Sequence, residues 1–285
     1  MSSYGQYSKA WEDLEFSDNF IFCNVMENMD LCKELLEILL HIKIDHLEKP
    51  ESEKTIQLEY ESKSIRLDVY VKDSNRVFDI EMQTGNYNDL LLRARYYQVA
   101  MDLGETPRCT KYKDLKETYI IFICKDDPFN MGCPVYTKKS IFEECPKFDY
   151  QDKTHFVVYN SSGYEKEKDK EVQSVLKFIY GLEPDTDFTT NLGKKVNELK
   201  QAKNLKEGYM YLYDVIEEEK EIAVKEAVKE AVKENSKEVK LQTLIELANK
   251  MIKAGKNSNK EISDFLSLPL DQVNALAKEL TEKTE

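Results

Sequence analysis

The residues whose types and spacing point to chemistry are Asp68, Glu81 and Gln83, all within RLDVYVKDSNRVFDIEMQ, Arg66 to Gln83. This stretch reads as a β-hairpin. Arg66, Asp68 and Tyr70 alternate with Leu67, Val69 and Val71, and Val77, Asp79, Glu81 and Gln83 alternate with Phe78, Ile80 and Met82. Strand side chains have a period of two, so each limb has one apolar and one mostly polar face. Lys72-Asp73-Ser74-Asn75 is the turn. With its centre between Ser74 and Asn75, Asp68 lies opposite Glu81 and Arg66 opposite Gln83. Opposed like charges, with Cβ atoms ~5 Å apart, are destabilising. A divalent cation between them turns repulsion into chelation, because hard cations take carboxylate oxygens. The plain alternative is a solvated polar face that happens to carry two acids.

These residues resemble a known signature. Asp68, a strand turn, then Glu81-Met82-Gln83 looks like the D…E-x-K motif of the PD-(D/E)XK nucleases, with Gln83 where that superfamily has Lys. The longer string RLDVYVKD…VFDIEMQT, followed by LLRARYYQ and YIIFICKDDPF, is similar to the Rpn-like recombination-promoting nuclease/putative transposase branch, up to about Leu182 and more loosely beyond. The resemblance implies an α/β fold, a restriction-endonuclease-like αβββαβ core with a C-terminal helical extension. It implies a metal-dependent endodeoxyribonuclease acting on DNA in a mobile-element or defence setting. Asp68, Glu81 and the Met82 carbonyl would hold Mg2+ or Mn2+. Gln83 would stand in the lysine's place, though it carries no charge and cannot act as a base. Arg66, Arg93, Arg95 and Gln98 would contact phosphate or support the site, a task that suits the planar arginine fork. For each of them the alternative is a surface salt bridge. Glu34 is a candidate for the extra acid of the first core helix, and Asp79 for a supporting acid. The competing function is a catalytically inactive relative that binds nucleic acid or assembles proteins.

The elements needed to position these groups are legible around them. Ser17 and Asp18 can cap a helix with Phe20, Ile21, Val25 and Met26, and Asp30 a second with a stripe of Leu31, Leu35, Ile38 and Ile42. Pro50 to Glu53 reads as a break and Thr55 to Tyr60 as a first strand. After the hairpin, a turn at Thr84-Gly85-Asn86 leads to a helix capped by Asn88, with Leu92, Tyr96, Val99 and Leu103 spaced for burial. Of Tyr96 and Tyr97, one is expected in the core and one on the rim. The apolar run from Glu117 to Lys125 is expected to be a central strand. A strand at His155 to Asn160 and a helix at Val172 to Tyr180 complete the domain.

The sequence has 285 residues, 41% hydrophobic and 33% charged, with net charge −13. That excludes broad electrostatic adhesion to nucleic acid, so DNA cleavage needs a local basic patch and a metal. The six cysteines form no C-x-x-C, and His41, His46 and His155 have no zinc-like spacing with them. The cysteines read as reduced thiols of a cytoplasmic protein. The polar, acidic start is no signal peptide, and no apolar run is long enough for a bilayer. Three domains are expected: 8–214 nuclease-like, 215–240 a Glu/Lys/Ala/Val helical linker with AVKE three times in tandem, and 241–285 a small helical unit. Ser258 to Glu261 is a capping box in the last, after a stop at Gly255, and Leu268-Pro269 precedes a final helix with Val273, Leu276 and Leu280. That helix has no basic recognition face, so it reads as a packing or dimerising cap rather than a DNA reader. A homo-oligomer is compatible with this reading.

Overall fold

The computed structural model describes residues 9–56, 65–85, 87–148, 151–254 and 257–282, without the side chains of 219–220, 230–232, 234–239 and 280–282. Helices α1 (Asn19–Met26) and α2 (Met29–Leu40) precede strands β1 (Glu51–Ile56), β2 (Ile65–Lys72) and β3 (Arg76–Gln83). Then come α3 (Leu90–Glu105), β4 (Glu117–Cys124), β5 (Val135–Lys138), β6 (Thr154–Asn160), α4 (Lys170–Tyr180) and α5 (Asp187–Gln201). The strands form one mixed sheet in the order β1-β2-β3-β4-β6-β5. β1–β2 and β2–β3 are antiparallel, β3–β4 and β4–β6 parallel, and β5–β6 antiparallel. Parallel neighbours need a crossover, and α3 supplies it between β3 and β4. This is the expected αβββαβ order.

β4 is buried on both faces, as its continuous apolar run requires. On one face Leu90, Ala94, Tyr97, Ala100 and Met101 of α3 pack with Tyr70, Val77, Ile120, Phe122 and Val158. On the other, α1 packs against β1, β2 and β3, and the Tyr159 hydroxyl donates to the Leu39 carbonyl of α2.

Several local expectations are corrected. α2 is capped by Asn28, whose Oδ1 accepts from the Asp30 and Leu31 amides, not by Asp30. β1 begins at Glu51, inside the expected break, while positions 57–60 of the expected strand lie outside the described residues. Asp89, not Asn88, occupies the N-cap of α3, in the left-handed region at φ 61° and without a side-chain cap bond. The stripe Leu92, Tyr96, Val99 and Leu103, expected in the core, is exposed; α3 buries its opposite side. The edge strand β5 was not expected. Asn86 and Gly255 lie outside the described residues.

Packing divides the chain into two units, residues 1–214 and 215–285. In the first, Trp11 Nε1 donates to the Lys200 carbonyl (3.1 Å) and Tyr209 Oη to the Lys9 carbonyl (2.8 Å), tying the N-terminal segment to the later helices. Helix α6 (Lys203–Ala254) is continuous over 52 residues, so the Glu/Lys/Ala/Val stretch and the next expected helix are one element. In the second unit, α7 (Asn259–Leu266) opens with the Ser258–Glu261 capping box and α8 (Leu270–Glu282) follows Pro269. Ala248, Ile262, Leu266, Leu268 and Val273 form that unit's small core. All six cysteines are free. No described helix is long and apolar enough to cross a membrane.

Candidate active site

β2 and β3 pair with Val69 opposite Ile80, Tyr70 opposite Asp79 and Val71 opposite Phe78. One step further brings Asp68 opposite Glu81, and there the side chains cross between the strands. The Asp68 amide donates to Glu81 Oε1 (3.0 Å) and the Met82 amide donates to Asp68 Oδ2 (3.0 Å). Each acid is thus fixed by the other strand's main chain, which immobilises it more firmly than a side-chain contact would. The ladder is irregular on the other side too. Glu53, at φ 52°, interrupts β1 pairing between Ser52–Val69 and Lys54–Leu67. The local break re-aims side chains, as bulges near sites do: Ile65 and Leu67 share a core cluster with Tyr70 although strict alternation would separate them.

Both acids are buried, Asp68 at 3% and Glu81 at 1% exposure. Burial pushes the Asp68 carboxyl up, against the Met82 amide, the Asn19 side chain and the charges of Arg66 and Arg93. Burial, then the charges of Asp68 and Asp79, push Glu81 well up, with Arg93 opposing. Asp79 is fully buried and neither carboxyl oxygen has a hydrogen-bond partner among the described residues; burial and then Asp68 raise it well above its ordinary range. All three buried acids feel the charge of one guanidinium.

That guanidinium is Arg93, on the first turn of α3. Its Nη2 donates to Glu81 Oε2 (3.1 Å) and to the Tyr97 hydroxyl (3.3 Å), and its Nη1 donates to Gln83 Oε1 (3.0 Å). Gln83 Nε2 donates to Glu81 Oε2 (3.3 Å). The Arg93 fork lies over the Phe122 and Tyr97 rings, at 5.3 and 5.6 Å to the centroids. Glu81, Gln83 and Arg93 are one hydrogen-bonded set. Tyr97 is buried and Tyr96 exposed.

Other expected site residues lie elsewhere. Arg66 pairs with Glu53 (3.4 Å), and with its neighbours Ile65 and Leu67 in the Tyr70 cluster it leaves the face that Glu81 and Gln83 share; its charge favours the ionised form of Asp68. Arg95 is exposed. Gln98 donates to the Thr118 hydroxyl and to Asp102 Oδ1 (3.0 Å). Thr118 precedes Phe122, the partner of Glu81, by four strand residues, about 13 Å. Glu34 faces the wrong way: burial and then the charges of Glu171, Glu37 and Asp187 raise it, which puts it beside α4 and α5. The first helix instead offers Asn19, buried, with Nδ2 lacking a hydrogen-bond partner among the described residues and close enough to favour the charged form of Asp68. A search for acids passes over it because it has no charge.

The donors available to a metal are all oxygen. Gln83 O accepts from the Lys125 amide on the β4 side (2.8 Å). Successive strand carbonyls alternate, so the Met82 carbonyl points toward β2, the side of Asp68. Two buried carboxylates and a carbonyl, with three acids against the single charge of Arg93, fit a hard divalent cation. No cluster of three or more His, Cys, Asp and Glu in metal-holding geometry occurs among the described residues.

A family model described as PD-(D/E)XK nuclease family transposase matches residues 13–268. The chain belongs to that family. No curated protein and no solved structure matches it. For a PD-(D/E)XK nuclease family transposase, the mixed six-stranded sheet with helices on both faces is a restriction-endonuclease-like fold, carrying a helical C-terminal region. The family's nucleases belong to mobile elements and generally use divalent metals.

Proposed function

We propose that this protein is a metal-dependent DNA endonuclease that hydrolyses phosphodiester bonds for a mobile element or defence system. The observation that carries the proposal is the crossed pair Asp68–Glu81, each acid buried and held by the opposite strand's amide. A buried acid pair that one arginine only partly offsets costs stability that a purely structural strand pairing would avoid, and ligating Mg2+ or Mn2+ would recover it. Asp68, Glu81 and the Met82 carbonyl would hold the ion, which when bound polarises the scissile phosphate and acidifies an attacking water.

The chain's own groups do the rest. The Gln83 amide, held by Arg93, has donor and acceptor capacity to orient a water but no basicity, so proton removal rests on another acceptor. Arg93 binds Glu81 and Gln83 at once and sets their separation. Its charge offsets part of the acids' repulsion, and an oriented phosphate beside it would meet a planar donor fork. Asn19 is a second, uncharged support for Asp68.

The test is cleavage of supercoiled plasmid by the purified full chain with Mg2+, Mn2+ or EDTA, beside Asp68→Ala from the same procedure. Cleavage by the wild type with metal, and none by the variant, supports the proposal. Equal cleavage by both places the activity elsewhere. No cleavage of single- or double-stranded DNA by the wild type favours a non-catalytic binding or assembly role, to which the missing lysine at position 83 would also point.

A further inference from the structure

α3 is apolar on two opposite sides, and the sheet uses only one. Leu90, Ala94, Tyr97 and Met101 face the core. On the far side, Leu92, Val99 and Leu103 remain 55%, 49% and 58% exposed, with Tyr96 among them along the same line. The steps 92, 96, 99, 103 are four, three and four residues, the spacing of a heptad seam over three helical turns. A helix apolar all round is one buried on both sides. We infer that this seam pairs with the same seam of a second copy, antiparallel and related by a two-fold axis.

Charge selects that partner and that direction. A two-fold axis between Tyr96 and Val99 sets Leu92 against Leu103 of the second copy, and Tyr96 against Val99. On one flank the heptad-equivalent positions are Arg95, exposed, and Asp102, half-buried, seven residues apart. Antiparallel pairing places Arg95 of each copy against Asp102 of the other, twice by symmetry. Parallel pairing would set Arg95 of each copy against Ala100 of the other, with no opposite charge to meet. On the other flank Arg93 turns into the site and Ala100 into the core, so neither obstructs the approach. The interface is isologous, as most homodimers are. Arg93 lies on this helix, so pairing holds two copies of the Arg93–Glu81–Gln83 set at a fixed separation, one for each strand of a duplex. That last consequence rests on the nuclease proposal, whereas the dimer does not.

The experiment is sedimentation velocity on the full chain across a concentration series, without DNA or added metal, so its outcome is independent of cleavage. A concentration-dependent dimer is expected. Val99→Glu with Leu103→Glu should leave only monomer while Trp11 fluorescence shows an intact fold. Arg95→Asp alone or Asp102→Arg alone should weaken the dimer about tenfold, as expected for two surface ion pairs turned repulsive. The double exchange should return the dissociation constant to within about threefold of wild type. Arg95→Asp changes only an exposed side chain and keeps the test valid if the glutamate variant, or Asp102→Arg with its lost Gln98 bond, does not fold. A wild type that stays monomeric overturns the inference, as does a dimer indifferent to the glutamates or a double exchange that fails to rescue.

Discussion

Asp79→Asn should stabilise the metal-free protein at neutral pH, although it replaces a carboxyl at the centre of the sheet. Asp79 is fully buried and both its oxygens lack hydrogen-bond partners among the described residues. Burial, then Asp68, raises its carboxyl well above the ordinary 3.8. A raised folded pKa means that the folded state takes up a proton which the unfolded chain has released, so stability falls as pH climbs above 3.8. At pH 7 this linkage costs at most about 4 kcal/mol, from ~1.4 kcal/mol per unit over the interval above the ordinary value. Asn has the same shape, never ionises, and leaves as many polar atoms without partners as a neutral Asp does. The variant should therefore be more stable at pH 7, by no more than that bound, with the gain shrinking toward zero near pH 4. Trp11 is the chain's single tryptophan and is buried in the first unit, so its fluorescence in urea, with EDTA present, isolates that unit's unfolding. A destabilised variant, or a gain that persists unchanged at pH 4, would refute the reasoning.

Glu105 carries the opposite sign. Burial alone would raise it, but bonds from Lys72, Tyr70 and Lys116 hold its carboxyl at about 2. That stabilisation is full above its ordinary 4.5 and fades as pH falls toward 2. Glu105→Gln should cost about 1–2 kcal/mol at pH 7 after screening, and almost nothing near pH 2, by the same fluorescence assay. Asp68→Ala and Glu81→Ala should each abolish metal-dependent plasmid cleavage while keeping a cooperative transition in EDTA; cleavage at the wild-type rate would remove either residue from the site. Gln83→Lys should keep or raise the cleavage rate if Gln83 fills the lysine's place, although the new ammonium must fit beside Arg93, and a loss of activity would show that this site uses the amide itself. A chain ending at Asp214 should retain the Trp11 unfolding transition at nearly the wild-type midpoint, and its loss would mean that the later helices are needed for the first unit to fold.

The sequence by itself determined what depends on local period and charge. Two alternating strands around a turn-rich tetrapeptide define one register, and that register opposes Asp68 and Glu81. The continuous apolar run at β4 and the Ser258 capping box are likewise local signals, and both elements form where they occur. Only the tertiary structure decided matters that depend on which partner arrives. α3 offers two apolar stripes of similar strength, and contact with the sheet, not periodicity, chose Leu90, Ala94, Tyr97 and Met101 over Leu92, Tyr96, Val99 and Leu103. A hairpin pattern cannot anticipate the break in alternation around Asp68 that sends Ile65 and Leu67 into the Tyr70 cluster and pairs Arg66 with Glu53, a residue outside the hairpin. Arg93 and Arg95 look alike in sequence, yet only Arg93 reaches Glu81 and Gln83. Two residues along a helix turn a side chain through about 200°, so one guanidinium enters the site and the other faces solvent.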